Sequence, residues 1–197
     1  CNTSPCSFAC LRRNCDKRSY AQKVFRFFRL IAQRHILRNG NYITIAITPK
    51  QASIFSRLEA AKSVLIRNPI SVSDEPPQIK PGKYFIFVGR LTAEKDPDIF
   101  CEAASELTVR AMVVGDGERM SLLKEKYPEV EFIGWKSRED VIELYKDAIA
   151  LVVPSRWYEG APLAVTEAQL SAGLPVIVAN SCNAADEITP SVTGYEF

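Results

Sequence analysis

IALVVPSRWYEGAPLAVTEAQLSAGLPVIVAN, residues 149–180, is the stretch on which the fold turns. An uninterrupted apolar run, 149–154, gives way to a polar segment. Residues 161–172 then read as a helix, and a second apolar run, 175–180, follows Gly173. A strand that is apolar at every position has no face for water. It must be covered on both sides, as parallel strands are in an α/β sheet.

The same rhythm extends back to Lys83. The strand YFIFVG (84–89) precedes the helix PDIFCEAASEL (97–107), RAMVVG (110–115) precedes ERMSLLKEKY (118–127), and VEFIG (130–134) precedes SREDVIELYKD (137–147). A short helix around NAADEI (183–188) closes the series. The fold expected for residues 83–197 is therefore a doubly wound α/β domain, a Rossmann-like parallel sheet with helices on both faces. Its ligands should lie at the carboxyl ends of the strands.

Upstream, NYITIAIT (41–48) alternates like a strand, and Thr48-Pro49 reads as a helix cap followed by proline at the first helical position. The helix runs through KQASIFSRLEA (50–60), and a second short strand lies in SVLIRNPI (63–70). Prolines at 76, 77 and 81 mark a linker. The expected organisation is a partial second α/β domain at 1–67, a linker at 68–82 and the Rossmann-like domain at 83–197.

The 197 residues are 47% hydrophobic and 24% charged, ordinary for a globular chain, with no apolar run of the about 18 residues that a membrane span needs. No signal-peptide pattern opens the sequence. Net charge is only +2, yet residues 1–50 carry ten Lys/Arg against one acid, Asp16. That basic part suits phosphates, of lipid headgroups or nucleic acid, or is simply a solvated face. Within it, residues 17–38 have helical spacing at Tyr20, Val24, Phe27, Phe28 and Ile31, and Phe25, Leu30 and Leu37 widen the apolar arc, which favours packing on a core over lying on an anionic bilayer. His35, the single histidine, reads as a surface residue rather than a base. Cysteines 1, 6, 10 and 15 lack the tight pairs of structural zinc sites, and Cys101 and Cys182 read as small core residues.

Neither a P-loop lysine motif nor Gly-x-Gly-x-x-Gly occurs, which excludes a P-loop NTPase and an ordinary dinucleotide enzyme. Instead Gly89, Arg90 and Lys95 follow the first strand of the series, where two cations would face a diphosphate. Arg grips two phosphate oxygens at once, and Lys supplies a point charge. The plain alternative is that both pair with neighbours such as Glu94 and Asp98. In EGAPLAVTE (159–167), Pro162 suits a first helical turn, so the helix should start near Ala161, with Glu159 before it and Glu167 in its second turn. Gly160 and Ala161 would let an anion approach the free amides. Two carboxylates beside an anion must bind something else, and sugar diols fit. A helix with two exposed glutamates is the plainer reading.

In order, FVGRLTAEKD, VVGDGE, VEFIGW, DAIALVVPSRWYEGAPLAVTEAQLSAGLPVIVAN and the closing GYEF resemble the carboxyl-terminal domain of retaining glycosyltransferases of family four, with the GT-B fold. The resemblance covers about residues 64–197 and implies roles. Arg90 and Lys95 bind the donor diphosphate and steady the leaving group, with Gly89 admitting the phosphates. Glu159 and the backbone at Gly160, Ala161, Pro162 and Leu163 hold the transferred sugar and phosphate. Glu167 takes the ribose hydroxyls, and the backbone at Trp135 and Lys136 meets the base. Gly115 and Gly117 serve only as turn formers. Asp96 stands where the family often has glycine.

On this resemblance the parent enzyme moves a hexose or N-acetylhexosamine from a UDP- or GDP-sugar to a glycan or lipid-linked acceptor, in bacterial O-antigen or capsule synthesis. It needs no metal and no cofactor. Its partners are the nucleotide-diphosphate sugar, the acceptor and an anionic membrane surface, with no nucleic acid. Its place is the cytoplasm, at the inner face of the plasma membrane. The chain reads as a fragment of such an enzyme, residues 1–63 resembling the end of the acceptor-side domain. Rival readings are a donor-binding fragment without turnover, a nucleotide-sugar epimerase on the same fold, and a membrane or nucleic-acid adaptor built on residues 1–50.

Overall fold

The computed structural model describes residues 19–39, 43–57, 62–71, 76–77, 79–156 and 161–197. The chain forms two units, Cys1–Arg67 and Asn68–Phe197. In the first, helix α1 (Tyr20–Asn39) starts at a reciprocal cap. The Gln22 amide donates to Ser19 Oγ at 3.4 Å, and the Ser19 amide donates to Gln22 Oε1 at 3.2 Å. Strand β1 (Ile43–Ala46) pairs in parallel with β2 (Lys62–Leu65), and α2 (Pro49–Arg57) connects them. Thr48 caps α2, its Oγ1 accepting from the Gln51 amide at 3.2 Å, with Pro49 the first helical residue as its fixed φ favours. The apolar arc of α1 was expected to pack. Instead Tyr20, Phe25 and Phe28 are 71%, 69% and 63% exposed, because no described element of this unit covers them.

The second unit is a six-stranded sheet in the order β5-β4-β3-β6-β7-β8, parallel throughout. Its strands are β3 (Tyr84–Val88), β4 (Ala111–Val114), β5 (Glu131–Gly134), β6 (Ala148–Val153), β7 (Val176–Val178) and β8 (Gly194–Glu196). Between them run α3 (Pro97–Glu106), α4 (Met120–Lys126), α5 (Arg138–Lys146), α6 (Leu163–Ala172) and a 3₁₀ turn, Asn183–Glu187.

Two cores follow from the strand alternation. Ile86, Met112, Val114 and Leu151 point to one face, where Val141 and Tyr145 of α5 and Val165 and Ala168 of α6 cover them. Phe87, Ala111 and Val113 point to the other, against Phe100, Cys101 and Ala104 of α3 and Leu123 of α4. The sheet is thus covered on both faces, which is why its strands are apolar at nearly every position. Cys101 and Cys182 are buried, as expected of small core residues.

The chain builds outward from β3 through β4 to β5, then returns to place β6 on the other side of β3. The boundary between β3 and β6 is therefore the point where the winding reverses, and the loops leaving these two strands diverge to open a crevice at their carboxyl ends.

Candidate functional site

Both banks of that crevice carry the residues singled out in the sequence. On one bank, the β3–α3 loop holds Gly89, exposed Arg90 and half-buried Lys95. On the other, Ala161 and Pro162 lead into α6, which begins at Leu163. Glu159 and Gly160 lie outside the described residues, as do cysteines 1, 6, 10 and 15. Among the described residues, no group of three or more His, Cys, Asp or Glu side chains could hold a metal ion.

The β3–α3 loop is held from two directions. From the β4 side, the Leu91 amide donates to the Asp116 carbonyl at 2.9 Å, and the Arg119 amide donates to the Leu91 carbonyl at 3.1 Å. Arg119 Nη2 also reaches Asp98 Oδ1 at 2.6 Å, so Asp98 is already engaged by an arginine other than Arg90. Arg90 pairs with no acidic side chain among the described residues. From the β6 side, the Arg156 amide donates to the Glu94 carbonyl at 3.1 Å, and Arg156 Nε pairs with Asp96 Oδ2. Inside the loop the Thr92 carbonyl accepts from the amides of Lys95 and Asp96, at 3.1 and 3.2 Å. These bonds fix the backbone of the loop at several points.

The start of α6 differs from expectation by about two residues. Pro162 precedes the helix, with φ −67° and ψ 113°. Proline locks φ but leaves ψ free, so its helical φ did not make it helical. Having no side-chain oxygen, it cannot cap the helix, and the first-turn amides of Leu163 and Ala164 have no acceptor within α6. Together with the helix dipole they favour an anion.

Glu167, in the second turn of α6, is only 15% exposed at its side chain, and its Oε1 accepts from Arg138 Nε at 2.7 Å. Arg138 Nη2 also donates to the Ser71 carbonyl at 2.8 Å. One carboxylate oxygen is therefore anchored, which fixes the direction of the other. Burial, and secondarily the nearby Glu167 carboxylate, push the Tyr145 phenol above its ordinary range.

Arg138 and Arg156 were not picked out from sequence. Arg138 had a signal: it is a cation at the first position of α5, beside the positive end of the helix dipole, where acids such as Glu139 and Asp140 belong. Trp135 and Lys136 are exposed just beyond β5. They stand two strand spacings, about 10 Å, along the sheet edge from the β3 loop. Gly115 and Gly117 do more than turn the chain. A Cβ at Gly117 would lie 2.5 Å from the Leu91 carbonyl oxygen, and one at Gly115 would lie 1.9 Å from that of Gly89.

Against known proteins, residues 72–197 match the family model described as glycosyl transferases group 1. The chain belongs to this family. Among curated relatives, it is 40% identical over 110 residues to the UDP-Gal:alpha-D-GlcNAc-diphosphoundecaprenol alpha-1,3-galactosyltransferase of Escherichia coli, covering 49% of this chain and 27% of that protein. It is 36% identical over 108 residues to the GDP-mannose-dependent alpha-mannosyltransferase of Mycobacterium tuberculosis, covering 55% and 28%. The chain thus spans little more than a quarter of either relative. Among solved structures, the lipopolysaccharide outer core galactosyltransferase WaaB superposes with a TM-score of 0.64 at 24% identity, over 78% of this chain and 47% of that one. HepE of Anabaena, solved in complex with UDP and glucose, superposes with a TM-score of 0.68 at 18% identity, over 86% and 53%. The expected GT-B glycosyltransferase fold is the one found.

Proposed function

We propose that this group 1 chain is the donor-binding part of a retaining glycosyltransferase. It moves a hexose or N-acetylhexosamine from a UDP- or GDP-sugar to a glycan or lipid-linked acceptor in surface-polysaccharide synthesis, of O-antigen or capsule. The observation that carries the reading is the β3–α3 loop, with Arg90 and Lys95, lying across the β3/β6 winding reversal from the uncapped start of α6. A diphosphate in that crevice receives Arg90 through two hydrogen bonds, Lys95 as a point charge and the α6 amides at its other end. Gly89 leaves room for the phosphates. Glu167, oriented by Arg138, offers its second oxygen to the ribose diol. Glu159, with the backbone at Gly160, Ala161, Pro162 and Leu163, takes the transferred sugar, and the backbone at Trp135 and Lys136 takes the base. UDP and GDP are both candidates, because the two curated relatives are named for UDP-Gal and GDP-mannose.

In the transfer, the bond from the anomeric carbon to the diphosphate oxygen breaks and its electron pair leaves with the oxygen. The acceptor oxygen forms the new bond and loses its proton to the departing diphosphate oxygen or to water. Negative charge on the diphosphate rises as the bond breaks, so fixed cations stabilise that moment more than the bound donor. No metal or cofactor enters this scheme. Lys95→Ala in the full enzyme should lower kcat at least about tenfold, roughly 1.4 kcal/mol of transition-state stabilisation, with a smaller change in KM. An unchanged rate at saturating donor would refute the role.

An anionic membrane surface at the inner face of the plasma membrane is the second proposed partner. It rests on exposed Tyr20, Phe25 and Phe28 together with Arg29 on α1. No helix among the described residues is long and apolar enough to cross a membrane. Flotation with anionic vesicles at low salt, lost at high salt, is the expected result, and a chain that never floats ends this part of the reading.

A further inference from the structure

Asp96 immediately precedes α3 and has left-handed backbone, φ 49° and ψ 52°. An aspartate in that place ordinarily adopts extended backbone and turns its carboxylate onto a first-turn amide. Here it makes no such cap. Its carboxylate is instead 5% exposed and paired with Arg156 Nε from the opposite bank. The backbone of the same arginine donates to the Glu94 carbonyl at 3.1 Å. Glu94 and Asp96 are the two chain neighbours of Lys95, so one residue of the β6–α6 loop grips Lys95 from both sides.

Glycine would take the left-handed turn without cost, whereas aspartate takes it at a small one. Burying a carboxylate away from water adds a second cost. Both costs are offset only by what the carboxylate holds. We propose that Asp96 and Arg156 form a clasp across the winding reversal that keeps Lys95 aimed at the donor diphosphate. Both are assigned as positioning residues, acting on the donor through Lys95. The inference rests on the donor-site reading, and two measurements separate the two.

Amide hydrogen exchange tests the clasp without any ligand. In Asp96→Gly and Arg156→Gln, the amides of Lys95, Asp96 and Arg156 should exchange at least about tenfold faster, while that of Val113 in the sheet core is unchanged. Asp96→Gly removes the buried carboxylate and the strain together, so it keeps the chain folded even if Arg156→Gln does not. Titration with UDP and GDP tests what the clasp is for. Each single variant should weaken the nucleotide that binds at least about fivefold, and the double variant should bind no more weakly than either single, because both act through one contact. Unaltered exchange overturns the clasp. Faster exchange with unaltered affinity reduces it to a structural tie and overturns the positioning role. If the unaltered chain binds neither nucleotide while exchange still responds, the donor-site reading fails, and the positioning role with it.

Discussion

The sequences FVGR (87–90) and VVGD (113–116) end neighbouring strands with the same glycine, and a methyl group added to each would meet opposite fates. At Gly115 the backbone has φ 133°, and an added Cβ would lie 1.9 Å from the Gly89 carbonyl oxygen. No side chain fits there, because the β4 loop lies directly on the β3 loop and the Gly115 amide is tied to the Gly134 carbonyl at 2.8 Å. At Gly89 the nearest atoms are ring carbons of Phe87 at 3.6 Å, an ordinary contact. The protein itself therefore demands one glycine and leaves the other unexplained. On the proposed donor-site reading, the room beside Gly89 is kept for the donor phosphates.

That contrast can be broken most decisively at Gly115. Gly115→Ala should cost at least about 3 kcal/mol in urea unfolding, because both the space and the dihedral are wrong for alanine. A variant as stable as the parent would mean the two loops are not packed as described. Gly89→Ala should leave stability within about 1 kcal/mol, yet weaken nucleotide binding about tenfold by crowding the phosphates. If it unfolds the protein, or binds nucleotide as well as the parent, the distinction between the two glycines disappears. A smaller effect sharpens the picture of the shared floor beneath both loops, where Cys101 packs with Phe87 and Val113. Burial, with lesser contributions from Asp98 and Glu129, pushes its thiol up to about 12 from an ordinary 9.0. The folded state holds that proton more tightly than the unfolded chain does. This contribution to stability is intact below about pH 9 and is lost as pH rises toward 12. Peptide mapping after iodoacetamide at pH 8 should find Cys101 unmodified in the native protein, and rapid alkylation would contradict its burial.

The sheet could be read from sequence because burial on both faces makes each inner strand apolar throughout, as at Ala111–Val114. β8 escaped notice for the opposite reason. It is three residues long at the sheet edge, and only Gly194 of Gly194–Glu196 is buried. Thr48-Pro49 announced α2 correctly, while Pro162 misled by about two residues, since a proline's fixed φ is compatible with both helix and the residue before it. The cations and acids of the crevice were visible as residue types at strand ends. What they touch was not. Arg138 meets Glu167 and Arg156 meets Asp96 across separations of 29 and 60 residues, and no local pattern encodes such pairings.

Arg90, Lys95 and the start of α6 are proposed to converge on a nucleoside diphosphate. Calorimetric titration of UDP and GDP into the 197-residue chain, beside its Arg90→Ala variant, tests this convergence most directly. Hydrogen bonds from a charged group such as the Arg90 guanidinium contribute about 1.5–3 kcal/mol, so the expected result is binding of at least one nucleotide by the parent and affinity about ten- to a hundredfold weaker in the variant. Binding of neither nucleotide, or equal affinity with and without Arg90, would contradict it.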